Sequence, residues 1–93
     1  MSRMANTAVT VTATATQIVD GSPNRTLLVL TNNGVETVFL GAASVSTSAF
    51  IYPLESGDTV QWTSEDGDVA PEGKWFGVTA SGSVSVSVGE ISR

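Results

Sequence analysis

The stretch Ser83-Val84-Ser85-Val86-Ser87-Val88-Gly89 decides the fold class. Its apolar residues recur at every second position and every one is β-branched. A strand places alternate side chains on opposite faces, so the valines share one face and the serines the other. A helix would scatter the same valines around its circumference. Ile91 continues the apolar face beyond Gly89. The reading is a strand with one buried face and one hydroxyl-bearing face.

Working outward, Lys74-Trp75-Phe76-Gly77-Val78-Thr79-Ala80 also reads as a strand. Ser81-Gly82 separates it from the valine run, which predicts a hairpin. Arg25 to Thr31 predicts a strand with Leu27, Leu28, Val29 and Leu30 apolar on both faces, as in a sandwich core. Asn32-Asn33-Gly34 follows, and Asn-Gly predicts a tight turn into a return strand at Val35–Gly41, with either Val38 and Leu40 or Thr37 and Phe39 facing inward. Near the N-terminus, residues 8–16 alternate Ala/Val with Thr. Val9, Val11, Ala13 and Ala15 would share one face. So lightly furnished a strand must pack closely, lie at an edge or pair with another subunit, and an uncovered edge is an association liability. Residues 42–49 form a small-residue loop. Phe50-Ile51-Tyr52 is a short apolar run ended by Pro53, and Thr59–Thr63 alternates as a strand. The sum is about six to eight short strands with turn signals between them and no convincing 3.6-residue period. The predicted fold class is therefore all-β: a small antiparallel β-sandwich or jelly-roll-like barrel. A single domain is expected over residues 8–93, preceded by a flexible arm at residues 1–7.

Composition narrows the chemistry. The chain has 93 residues, four Lys+Arg against nine Asp+Glu, a formal charge of −5, and neither His nor Cys. Disulfides, thiolate zinc sites, Cys nucleophiles and His bases are excluded. The acidic balance argues against nucleic acid, whose phosphates call for clustered Lys and Arg. Charged residues make up 14% of the chain, against ~25% in an ordinary domain. Ser and Thr, twelve of each, take their place. The longest apolar runs are short, like Leu27–Leu30, whereas a membrane helix needs ~20 residues. Residues 1–7 carry no apolar stretch of the kind a secretory signal uses, so neither secretion nor membrane insertion is expected.

No GxSxG, SxxK or phosphate-cradling Gly-rich loop occurs, and no enzyme or cofactor is expected. The acidic run Glu65-Asp66-Gly67-Asp68, with Glu72 nearby, lacks the spacing of a calcium loop and reads as a solvated turn. Arg25, directly after Pro23-Asn24, reads as a bridge to a carboxylate at a strand start. Trp75 and Phe76 are adjacent on one strand and so point to opposite faces. One joins the core and the other becomes an interface candidate, with the choice open.

In order, these features are Thr16-Gln17-Ile18-Val19, Pro23-Asn24-Arg25, the apolar strand Leu27–Leu30, Asn32-Asn33-Gly34 and Val38-Phe39-Leu40-Gly41. A Ser/Thr-rich loop, Pro53-Leu54-Glu55-Ser56-Gly57-Asp58 and a closing hairpin with alternating valines follow. Over about residues 8 to 91 the order resembles the small β-sandwich proteins of tailed-bacteriophage virions, especially capsid decoration (head cement) proteins and the capsid-binding domains of head fibres. The shared features are turn chemistry and strand pattern. Adhesins and tail-associated modules are similar in the same respects. The resemblance implies a non-enzymatic structural protein, made in the host cytoplasm, that docks on the exterior of the capsid, with the major capsid protein as partner. It also implies a homo-oligomer, with a trimer expected and a dimer or monomer as alternatives. The alternatives for function are a carbohydrate-binding or adhesin module with a Trp-lined face, or a head–tail or tail-associated structural protein. The physical candidates for capsid or subunit contact are Met4, Ala5, Val9 and Val11 in the first strand and arm, Ser44, Val45 and Ser46 in the loop, Phe50, Ile51 and Tyr52, and the pair Trp75 and Phe76.

Overall fold

The computed structural model describes residues 3–63 and 73–93. Eight strands follow one another: β1 (Arg3–Val11), β2 (Thr16–Val19), β3 (Arg25–Asn32), β4 (Val38–Gly41), β5 (Tyr52–Leu54), β6 (Thr59–Thr63), β7 (Trp75–Val78) and β8 (Val84–Ser92). They form two antiparallel four-stranded sheets, ordered β1-β8-β3-β6 and β2-β7-β4-β5. The chain is all-β and the sheets make a small sandwich.

The pairing follows a rule. β1 pairs with β8, β2 with β7, β3 with β6 and β4 with β5, so the strands pair from the outside of the sequence inward. Two further ladders, β3–β8 and β4–β7, complete the sheets. This is a long four-over-four hairpin rolled into two layers, the jelly-roll arrangement. The chain changes sheet at every connection except β4 to β5.

That topology corrects both predicted hairpins. β3 and β4 lie in different sheets, as do β7 and β8, so Asn32-Asn33-Gly34 and Ser81-Gly82 carry the chain between layers. Gly34 does not need a positive φ, since only Gly57 (φ 79°) and Gly82 (φ 71°) adopt one among the described residues. Close approach is the reason for glycine there: a Cβ on Gly34 would stand 2.8 Å from Val84 Cγ2. The long-range pairing that replaces the hairpins is invisible to local turn chemistry.

Alternation places the core as the sequence suggests. Val84, Val86 and Val88 face inward beside Leu28 and Leu30 of the same sheet, and the second sheet contributes Ile18, Val19, Val38, Leu40, Leu54 and Trp75. Of the two faces left open for β4, Val38 and Leu40 are the inward one. Gly77 of β7 leaves its inward side to the side chains of its neighbours. A Cβ there would meet Ile18 Cδ1 at 2.7 Å and Val38 Cγ1 at 3.0 Å.

The N-terminal boundaries differ from expectation. Residues 3–7, expected as an arm, are the first half of β1, paired residue by residue with β8 from Arg3↔Ser92 to Val11↔Val84. The strand ends at Val11, so Ala13 and Ala15 leave its face. Local hydroxyl bonds compete with the ladder there: Thr14 N–H donates to Thr12 Oγ1 (3.2 Å) and Thr16 Oγ1 donates to the Thr14 carbonyl (2.9 Å).

Candidate functional site

The buried polar groups are engaged inside the fold. The guanidinium of Arg25 is almost wholly buried. Its Nη1 donates to Glu90 Oε1 (2.8 Å) and the Asp20 carbonyl (2.9 Å), and its Nη2 donates to the Gly73 carbonyl (2.6 Å). Arg25 thus bridges a carboxylate at a strand start, as its sequence context suggested. Asn32, fully buried, donates from Nδ2 to the carbonyls of Glu36 (2.7 Å) and Leu54 (2.9 Å) and accepts the Gly34 N–H at Oδ1 (2.8 Å). Thr79 Oγ1 donates to the Gly82 carbonyl (2.9 Å). Among the described residues no buried side-chain polar atom lacks a partner, and no three carboxylates gather to hold a metal. The acidic run Glu65, Asp66, Asp68 and Glu72 lies outside the described residues.

Apart from Val35 on the connection from β3 to β4, the exposed large apolar side chains among the described residues gather in two places. The first is the loop from Ala42 to Ile51. Val45 is buried and anchors it, with its N–H on the Ala42 carbonyl (2.9 Å). Ser46 and Ala49 exchange backbone hydrogen bonds, and Ser46 Oγ accepts the N–H groups of Ser48 (3.3 Å) and Ala49 (3.0 Å). Ser46 therefore frames a built turn, and Ser44 is exposed. The Ile51 N–H donates to the Leu40 carbonyl at 2.7 Å, which fixes the exit. The result presents Phe50 on Phe39, ring centroids 4.9 Å apart, with Ile51 67% exposed. A shallow depression of about 320 Å³ lies between Gly41, Val45 and these residues. Tyr52 follows, its ring edge-on to Trp62 at 6.4 Å.

The second place is the outer face of the first sheet. Register sets Met4, Ile91 and Leu27 in one cross-strand row and Asn6, Gly89 and Val29 in the next. Gly89 has no side chain to fill the centre, so the four larger apolar residues surround a depression of about 260 Å³. Met4 is 84% exposed. Ala5, opposite Glu90, points to the other face, and Val9 is half-buried against the core.

Three candidate contact residues leave the set. Val11, Val45 and Trp75 are buried within the subunit. Trp75 supplies the core and Phe76 the outer face, which settles the choice between them. Trp75 also stacks on Trp62 at 4.3 Å with planes 14° apart, and Trp62 is half-buried. Met4, Ala5, Phe50, Ile51 and Tyr52 are exposed. The residues that sequence reasoning missed are Leu27, Val29, Gly89 and Ile91. The run Leu27–Leu30 predicts a core on both faces, but the outward side of β3 carries no covering layer; Ile91, expected on the valine face, stands an odd number of residues from Val84, Val86 and Val88 and so lies on the opposite, outer face beside Leu27. The signal that would have found Leu27 and Val29 is their spacing: they occupy the positions alternate to Leu28 and Leu30. Comparison with protein-family models, with curated proteins and with solved structures found no match.

Proposed function

We propose that this chain is a non-enzymatic virion structural protein of a tailed bacteriophage that binds the outer surface of the capsid and stabilises the shell. The partner is the major capsid protein, and the chain acts as a homo-oligomer on the capsid exterior. The observation that carries the reading is the division of labour among side chains. The interior polar groups are bound to one another, while Met4, Leu27, Val29 and Ile91 on one surface and Phe50, Ile51 and Tyr52 on another are held outward on ordered backbone. A protein so built works by contact. The order of turns and strands that resembles decoration proteins adds the address.

The physics of stabilisation is linkage. A ligand that binds only the assembled lattice lowers its free energy at every occupied site, and repetition over the shell multiplies a modest affinity. The test is co-sedimentation with expanded shells and with unexpanded precursor shells. The expected result is saturable binding to the expanded form, weakened at least tenfold by Ile51→Asp. Equal binding to both forms, or none, overturns the reading. Copy number separates it from a neck or tail address: hundreds per particle are expected, against six or twelve.

A further inference from the structure

We propose that two copies of this chain pair through the outer edges of β1, antiparallel, with Thr7 opposite Thr7 of the second copy. The inference goes beyond the capsid reading and does not rest on it.

A strand at a sheet edge exposes a row of unpaired N–H and C=O groups, and folded proteins blunt such edges. Three of the four edges here are blunted. β2 has four residues and a register shift between Gln17 and Val19. β5 has three residues, one of them Pro53. β6 has five. β1 runs for nine residues with no Pro, no Gly and no Lys, and its register against β8 is unbroken. Among the described residues nothing pairs its other side. The occupant of such an edge is another strand.

Length and charge select a second β1. The edge of β6 is too short to cover nine residues. The subunit carries a net charge of −5, so most of its surface repels a copy of itself, but β1 has no acid and only Arg3 as a base. Antiparallel pairing must keep inward residues beside inward residues. Full overlap then puts Arg3 beside Val11 of the second copy, Ala5 beside Val9, and Thr7 on the two-fold axis. No like charges face each other. Residues 3–8 are exposed, whereas Val11 is buried beneath the second sheet, so reversal sets the bare half of each β1 beside the covered half of the other. The two first sheets join into one continuous eight-stranded sheet. Such a contact is isologous and closes as a dimer, in place of the trimer that the resemblance implies.

The absence of Cys makes the register directly readable. Opposed Cα atoms in an antiparallel pair stand about 4.5–5.5 Å apart, within disulfide reach. Residues two places from the axis stand about 14 Å from their own copies. The full chain should sediment at twice its 9.6 kDa mass. On mild oxidation Thr7→Cys should form a covalent dimer at least tenfold faster than Ala5→Cys. Thr7→Lys, which opposes two ammonium groups, should raise the dimer dissociation constant at least tenfold with an unchanged far-ultraviolet circular dichroism spectrum. A monomer at millimolar concentration, a trimer, or cross-linking as fast through Ala5→Cys as through Thr7→Cys overturns the proposal. Shell binding plays no part in these measurements, so either idea fails without the other.

Discussion

Arg25 and Glu90, 65 residues apart in sequence, meet at 2.8 Å where β3 and β8 lie side by side. The guanidinium also ties down the carbonyls of Asp20 and Gly73, so one side chain joins the turn before β3, the entry to β7 and the end of β8. Removing one partner of a buried pair strands the other. Arg25→Met should cost about 2–4 kcal/mol, less than for a wholly buried pair because Glu90 keeps some contact with water. Glu90→Gln retains an oxygen acceptor and should cost about 1 kcal/mol. Urea denaturation with an unchanged m-value checks both, and equal costs would show that charge alone matters.

Gly77 on β7 leaves the room that Ile18 of the neighbouring β2 fills. Gly77→Ala forces a methyl within 2.7 Å of Ile18 Cδ1, and overpacking of this kind costs about 1–3 kcal/mol. Ile18→Val removes that Cδ1. The double variant should therefore be more stable than the sum of the single changes predicts, and a double-mutant cycle measures the coupling.

Asn32 should be irreplaceable by an isostere that cannot donate. Asn32→Asp sets carboxylate oxygens against the carbonyls of Glu36 and Leu54, and each orphaned buried acceptor costs about 1–3 kcal/mol. The melting temperature should fall by more than for Asn33→Asp, whose exposed side chain bonds Ser87.

The stacked pair Trp62 and Trp75 is a reporter. The rings are 4.3 Å apart, and such contacts contribute about 0.5–1.5 kcal/mol beyond area burial. Trp62→Leu should lose much of the near-ultraviolet circular dichroism of the native protein. Oligosaccharides should leave the tryptophan fluorescence of the wild type unquenched.

What the sequence made legible was local. Alternation in Ser83–Val88 and Thr59–Thr63, and the apolar run at Leu27–Leu30, located β8, β6 and β3 because a two-residue period is imposed by the strand itself. Partners were not legible. Asn33-Gly34 has the chemistry of a tight turn, but whether the chain then pairs with β3 or crosses to the other layer depends on β8, which is far away in sequence. β2 was too short to announce itself. Of the surface, Met4, Ala5 and Phe50-Ile51-Tyr52 were identified because they are apolar outside any alternating run. Leu27 and Val29 were not, since an apolar residue on a strand looks the same whether or not a layer covers it, and Ile91 was grouped with the valines although it stands an odd number of positions from them. Trp75 and Phe76 show the limit: adjacency dictates opposite faces, and only the packed structure says which is inside.

The outside-in pairing has a consequence for biosynthesis. Of these eight strands β1 is translated before the others, yet its neighbour β8 is translated after them. The first sheet therefore assembles only after translation has passed Ser92, and contacts so distant along the chain make for a high contact order and slow folding. Throughout that interval the bare nine-residue strand is the segment most exposed to mispairing on crowded polysomes.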